Sequence, residues 1–212
     1  TESLILEPIW IYARQFSTLE KADYTQSLTW HIYGSENHHS MSFTVCWHFS
    51  KIAKDRPEYK DLKYEDGSTA ADHYQAWNDY FITYSRERSR KGICVEMMST
   101  GYNTVMTKGF YNFYDFGEPE VRRAAGLLLD LYWAYWAQEQ IDGISGGGKS
   151  RIRGLKGFSD SPPVPAWIYF GIGPFPAVQN VGPALSDYRP PAVVEDIAVD
   201  VNGRGRYEVY QR

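Results

Sequence analysis

The sequence predicts a mainly α-helical chain of helical hairpins, followed by the start of a β-rich segment. Apolar residues recur with helical spacing in four stretches that are joined by short connections. The stretch at 118–140 is apolar on nearly every side of a helix. After about residue 160, proline and glycine dominate, which is atypical of helices.

Helices are predicted at 38–54, 70–90, 103–114 and 118–140, and a short helix at 3–17. The clearest start and stop signals flank 70–90. Ser68 and Thr69 precede it, Asp72 lies in its first turn, and Arg88 and Arg90 lie near its end, before Gly92. Acidic residues near a helix N-terminus and basic residues near its C-terminus complement the helix dipole.

The helix at 118–140 begins at Glu118-Pro119-Glu120, and proline is favoured in a first turn. Asp130 is its only charged residue between Arg123 and Glu139. A helix that is apolar all round is buried all round. A helix in the inner layer of a two-layer helical barrel is buried in this way. We therefore expect an incomplete α/α toroid over residues 1–160.

Residues 161–212 are predicted to form a Pro/Gly-rich linker and the beginning of a β-rich domain, with strands at Val193–Val201 and Tyr207–Tyr210. The chain starts at Thr1 and ends just after the second of these strands, which would lack a partner. We therefore expect a longer polypeptide, whose remaining helices, or another chain, complete the toroid.

Composition excludes several classes of function. The net charge is −4, which does not favour nucleic-acid binding. No apolar run is long enough for a transmembrane helix. Cys46 and Cys94 lack metal-ligand spacing, and Cys46 is expected to be a buried free thiol. Aromatic residues make up 16% of the chain, and they suit either bulky helix packing or the binding of sugar rings.

A glycine-rich segment, Gly143–Ser150, matches the phosphate-loop pattern literally. A phosphate loop follows a buried strand and opens a helix, whereas this segment follows a long helix. Nucleotide binding is therefore not predicted. The five histidines show no zinc-type spacing, and His73 is expected to be a packed, hydrogen-bonded residue. No metal or other cofactor is predicted.

The densest cluster of polar and aromatic groups spans residues 30–39, directly before the first long helix. Its central residues are Glu36, Asn37 and His38. A helix N-terminus favours anions such as a sugar carboxylate, which predicts a binding cleft. The structural alternative is that Ser35 or Asn37 simply caps the helix.

Asn37-His38, followed by Tyr102 in a Ser/Gly-flanked segment, resembles the Asn/His…Tyr arrangement of α/α-toroid polysaccharide lyases, namely the alginate lyase, chondroitin lyase and heparinase II/III-like groups. The resemblance covers roughly residues 30–155. It implies cleavage of a uronic-acid-containing glycan by β-elimination, and a secreted or periplasmic location. Those lyases often have asparagine or another polar residue where this chain has Glu36, and an unpaired carboxylate there would repel a uronate.

In the chemistry that the resemblance implies, Asn37 neutralises the substrate carboxylate. His38 or Tyr102 removes the C5 proton, and Tyr102 can protonate the departing oxygen. The candidate substrate-binding residues are Trp30, His39, Arg86, Arg88, Trp133 and Arg151. The alternative for the arginines at the end of the 70–90 helix is a solvated helix terminus.

Two other hypotheses remain open. Glu36 and Glu96 could be the paired carboxylates of a glycoside hydrolase, with Glu96 as the acid because its apolar neighbours would raise its pKa. The protein could also be a non-catalytic glycan-binding or scaffold protein. Helical toroids host both lyases and hydrolases, so the fold alone does not separate these two reactions.

Overall fold

The computed structural model describes residues 2–25, 29–95, 100–145, 163–173, 182–200 and 202–203. The predicted mainly helical character is confirmed. The helices are α1 (Glu2–Phe16), α2 (Leu19–Ala22), α3 (Glu36–Ala53), α4 (Ala70–Arg90), α5 (Thr100–Phe116), α6 (Pro119–Glu139), α7 (Pro163–Phe170), α8 (Gly182–Leu185) and α9 (Ala192–Val199). Among these described residues, no helix is long and apolar enough to cross a bilayer.

The five helices predicted up to residue 140 are all present. The start of α4 follows its predicted signals, because the Thr69 hydroxyl accepts from the Asp72 backbone N–H at 3.2 Å while the Asp72 carboxylate accepts from the Thr69 N–H at 2.8 Å. This reciprocal pairing has the logic of a capping box. Helix α3 begins at Glu36, two residues before the predicted start, which places Glu36, Asn37 and His38 in its first turn.

The strand predicted at Val193–Val201 is wrong, because most of that stretch forms α9. Val194 and Ala198, one helical turn apart, are buried where α9 packs on α6. The described residues contain two short strands, β1 (Gln140–Ile141) and β2 (Ile144–Ser145), paired antiparallel. The second predicted strand, Tyr207–Tyr210, lies outside the described residues. The described part of 161–212 is thus helical where it has regular structure.

The chain divides into two compact units, Thr1–Tyr84 and Ser85–Arg212, and the division falls within α4. In the second unit, α9 packs against α6 and α7, so residues on both sides of the predicted boundary at 160 share one unit. The assignment of a separate domain from residue 161 stays a prediction.

The core of the first unit is built from aromatic rings. Trp10 of α1 packs on Phe49 of α3 with ring centroids 5.9 Å apart, and it meets the Tyr64 ring edge-on at 5.1 Å. The ring centroids of Phe43 of α3 and Trp77 of α4 lie 4.7 Å apart. These contacts join α1, α3 and α4 into one apolar layer.

A chain of buried polar groups crosses this aromatic core. The Trp77 indole N–H donates to the Ser17 hydroxyl at 2.8 Å, and the same hydroxyl lies 2.8 Å from Nδ1 of His73. The other ring nitrogen of His73 lies 3.3 Å from the Asp66 carboxylate. His73 is therefore a packed, hydrogen-bonded histidine, as predicted. Cys46, which lies beside Ser17, is a buried free thiol, as also predicted.

Helix α6 forms the core of the second unit, with α5 and α9 packed against it. Trp133 is buried, and its indole N–H donates to the Tyr111 hydroxyl at 3.0 Å. The Trp136 ring stacks on Phe170 of α7 with centroids 5.5 Å apart and an interplanar angle of 7°. Nine residues of α6 are buried, but Glu120, Arg122, Arg123 and Leu127 are exposed, so the prediction that this helix is buried on nearly every side is wrong.

The glycine-rich segment opens with a hairpin turn between β1 and β2. Asp142 and Gly143 both have positive φ, 51° and 78°, as a two-residue type I′ turn requires. The Gln140 side chain fixes this turn, because it accepts from the Gly143 N–H at 2.7 Å and donates to the Ala198 carbonyl at 2.8 Å. Gly143 is thus a turn residue, and residues 146–150 of the segment lie outside the described residues.

Lowering the pH is expected to destabilise the protein through His73. Burial lowers the pKa of His73, and the nearby Asp66 carboxylate only partly opposes this. The unfolded chain therefore binds a proton more readily than the folded chain, and the free energy of unfolding falls as the pH drops below the ordinary histidine pKa of about 6.5. Urea unfolding at about pH 7.5 and about pH 5.5 measures this loss.

The loss should be smaller in His73→Gln, and His31→Gln, which replaces an exposed histidine, is the control. An undiminished loss in His73→Gln would assign the pH dependence to another group. His48 is the first candidate, because burial lowers its pKa as well.

Gln140→Leu is expected to lower the free energy of unfolding by roughly 2–4 kcal/mol, because a buried N–H and a buried carbonyl lose their partner. Gln138→Leu is the matched control, since the Gln138 amide donates to a carbonyl within its own helix and is only half-buried. Equal losses in the two variants, measured by urea unfolding, would contradict a special role for Gln140.

Candidate functional site

The candidate site lies at the N-terminus of α3. Gly34 has a φ of 77°, a conformation that favours glycine, and it turns the chain into the helix. Ser35 follows with extended backbone angles as the N-cap residue, but its hydroxyl makes no capping hydrogen bond. The Ser35 hydroxyl contacts two side chains of the first turn instead.

The Ser35 hydroxyl holds Asn37 and His38 in a defined arrangement. It donates to Oδ1 of Asn37 at 2.7 Å and lies 2.9 Å from Nδ1 of His38. A serine hydroxyl has one hydrogen to donate and can accept through its lone pairs. Because that hydrogen is directed to Asn37, the contact with His38 requires Nδ1 to carry the proton. In the neutral ring, Nε2 of His38 is then the proton acceptor.

The other side-chain polar atoms of Asn37 and His38 form no hydrogen bond with the described residues. His38 is exposed, and Asn37 is 6% exposed. Neither the amide nitrogen of Asn37 nor Nε2 of His38 has a hydrogen-bond partner among the described residues. The backbone N–H groups of a first helical turn also lack partners within the helix. The site therefore offers hydrogen-bond donors for an anion beside one proton acceptor.

Glu36 and His39, the two neighbours of this pair, face the core. Glu36 is only 2% exposed, so it does not share the solvent-facing position of His38. His39 is buried, with Nε2 at 2.8 Å from the Tyr80 hydroxyl and Nδ1 accepting from the Tyr33 N–H at 3.2 Å. The structure thus places His39 in the aromatic core. Trp30 is half-buried.

The other predicted site residues belong to the second unit or lie outside the described residues. Tyr102 is 39% exposed on α5, and Arg86 is exposed on α4. Arg88 is fully buried and directs Nη1 to the Ile93 carbonyl at 3.5 Å, so it does not form a solvated helix end. Trp133 lies in the core of α6. Glu96 and Arg151 fall outside the described residues.

Sequence reasoning treated Ser35 only as a candidate cap and missed its contacts with Asn37 and His38. The signal was the Ser-x-Asn-His spacing, since short polar side chains at a helix start commonly bond to nearby groups. Across the described ranges, no group of three His, Cys, Asp or Glu side chains is arranged to hold a metal ion.

Comparisons with protein-family models, with curated proteins and with solved structures give no match for this chain. The site is therefore interpreted from its own geometry.

Ser35→Ala is expected to change the tautomer of His38. Removal of the hydroxyl frees Nδ1, so the population with the proton on Nε2 should rise, which ¹⁵N-resolved NMR of the imidazole measures. The free energy of unfolding should fall by about 1 kcal/mol or less, because the lost hydrogen bonds are largely exposed.

Ser42→Ala, on the same helix, serves as the control and should leave the His38 spectrum unchanged. A His38 ring that already carries its proton on Nε2 in the unmodified protein would contradict the hydrogen-bond assignment.

Proposed function

We propose that this protein is a carbohydrate-active enzyme that cleaves a uronic-acid-containing glycan by β-elimination. The observation that supports it is the Ser35-ordered pair, in which Asn37 is left as a donor and His38 as an acceptor. Elimination needs a donor that neutralises the carboxylate and a base beside it. A uronate presents both requirements on adjacent atoms, because its carboxylate is attached to C5, which carries the proton to be removed.

In the proposed reaction, the amide of Asn37 and the N–H groups of the α3 first turn bind the substrate carboxylate. Nε2 of His38 takes the C5 proton, and the electron pair of the broken C5–H bond forms a C4–C5 double bond. The bond between C4 and the glycosidic oxygen breaks, and that oxygen receives a proton, which is the role that the resemblance to the lyases gives to Tyr102. The products are an unsaturated sugar end and a free hydroxyl.

The burial of Glu36 is compatible with this chemistry. A solvated carboxylate in the first turn of α3 would repel the substrate carboxylate and compete for the same N–H groups. Glu36 instead faces the core, while His38 faces solvent. The departure from the lyase pattern at this position therefore does not place a second exposed anion at the site.

The proposal also includes the α/α toroid, with a β-rich domain after it, and a secreted or periplasmic location. Helix α1 has an exposed apolar face that comprises Leu4, Ile5, Ile11 and Tyr12, opposite its buried face. In a toroid, such a face packs against a neighbouring helical hairpin. Further helices of the same polypeptide, or of another chain, are proposed to cover it.

The elimination hypothesis predicts a specific optical signal. Incubation of the protein with a panel of acidic polysaccharides should raise the ultraviolet absorbance of the conjugated C4–C5 double bond. Asn37→Ala and Tyr102→Phe should each lower the rate by about 10²–10⁴, because each removes a group that acts in the transition state. Tyr12→Phe is the matched control, since Tyr12 is 42% exposed and Tyr102 39%.

Other outcomes would support the other hypotheses. New reducing ends without ultraviolet absorbance, abolished by Glu96→Gln, would indicate a glycoside hydrolase. Binding of the polysaccharide without any cleavage would indicate a glycan-binding protein. If Tyr102→Phe eliminates at nearly the rate of the unmodified protein, the role given to the Tyr102 hydroxyl is refuted.

A further inference from the structure

A groove of about 660 Å³ lies in the second unit, and its lining includes none of the candidate site residues. It is formed by the end of α5, the first three turns of α6 and the segment after α8. Its lining includes Tyr114, Arg122, Arg123, Leu127, Asp130 and Arg189. The volume is within the range of sites that bind small ligands or one segment of a longer chain.

Three arginines of this groove have no ion-pair partner among the described residues. Arg122, Arg123 and Arg189 are exposed, and no carboxylate among the described residues forms an ion pair with any of them. Two arginines elsewhere in the chain form ion pairs, Arg56 with Glu2 and Arg90 with Glu87. In a chain of net charge −4, this concentration of unpaired cations favours an anionic ligand.

Two of the arginines are held in position by uncharged partners. The Arg122 guanidinium lies over the Tyr114 ring, 4.4 Å from its centroid. Arg189 donates from Nη1 to the carbonyls of Ser186 and Tyr188, at 2.7 and 2.6 Å. Such contacts restrict the side chains without neutralising them, which lowers the entropic cost of binding an anion.

Asp130 is the one carboxyl group in the lining, and it is occupied. It accepts from the Tyr188 hydroxyl at 2.9 Å, and burial raises its pKa although this hydrogen bond acts in the opposite direction. Asp115, which lies outside the lining, accepts from the Ser186 hydroxyl and the Asp187 N–H, at 2.9 and 3.0 Å. Neither carboxylate forms an ion pair with the three arginines.

The walls of the groove suit a chain of sugar rings. Leu127 is exposed on α6, and Pro119 and Pro191 supply rigid apolar edges. A pyranose has an apolar C–H face and a polar rim, so it can cover such surfaces while its acidic groups reach the guanidiniums. The groove is open, which allows a polymer to pass through it.

We infer that this groove binds a segment of an acidic polysaccharide, through carboxylate or sulfate groups held by Arg122, Arg123 and Arg189. It is a second binding site, which would retain the polymer while bonds are cleaved elsewhere. The choice of a polysaccharide over other polyanions rests on the function proposed above, whereas the anion-binding property rests on the groove itself.

The test measures binding in the absence of cleavage. Isothermal titration calorimetry on the full chain carrying Asn37→Ala would use oligogalacturonate, a heparin oligosaccharide, neutral maltohexaose and polyuridylate RNA. Arg122→Gln with Arg123→Gln should weaken binding of an acidic oligosaccharide by about tenfold or more, because charged hydrogen bonds are lost. Arg56→Gln with Arg90→Gln changes the net charge equally and should alter the affinity by less than about twofold.

Preference for oligogalacturonate identifies carboxylates as the bound groups, and preference for heparin identifies sulfates; both support the inference. Four results would overturn it. They are equal weakening by the two pairs of variants, binding of maltohexaose as tight as that of the acidic sugars, tighter binding of RNA, and no binding at all. Groove-dependent binding without elimination by the unmodified protein would refute the proposed lyase function and leave the groove assignment intact.

Discussion

The structure depends on one constraint, which is that its core is made of aromatic rings that also carry polar atoms. The chain has 7 tryptophans and 17 tyrosines, and many of them are buried. A buried indole N–H or phenol hydroxyl without a partner costs free energy comparable to a lost hydrogen bond. Trp47 therefore requires Asn78, Trp77 requires Ser17, and both partners are buried polar residues of the core.

This constraint explains why so many buried polar residues are structural. Ser17 is fixed by the Trp77 indole, and His73 then bonds to Ser17 and Asp66. The three side chains have the composition of a catalytic triad, yet Ser17 and His73 are buried among aromatic rings. The Trp77 indole N–H needs a hydrogen-bond acceptor, and this need accounts for the arrangement of Ser17, His73 and Asp66. Side-chain composition alone therefore does not identify a site in this protein; access to solvent has to be considered as well.

Much of the fold could be predicted from the sequence, because the helices combine apolar periodicity with end signals such as Thr69 and Pro119. The strand prediction at 193–201 failed because β-branched residues dominate there, while packing of Val194 and Ala198 on α6 determines the conformation. Of the site, Asn37 and His38 were predictable from their position before a helix. The groove was not, because Arg189 lies far along the chain from Arg122, and only the fold joins them.

The phase of α3 decides which of the neighbouring titratable groups face solvent. At 100° per residue, Glu36, His39 and Phe43 share the face toward the core, and His38 lies on the opposite face with Met41 and Val45. If α3 began one residue earlier or later, these side chains would keep their orientation. The burial of the aromatic residues further along the helix sets the direction in which each side chain points. The core therefore leaves His38, and not His39, accessible to solvent. Ser35 then determines which nitrogen of that ring is the acceptor.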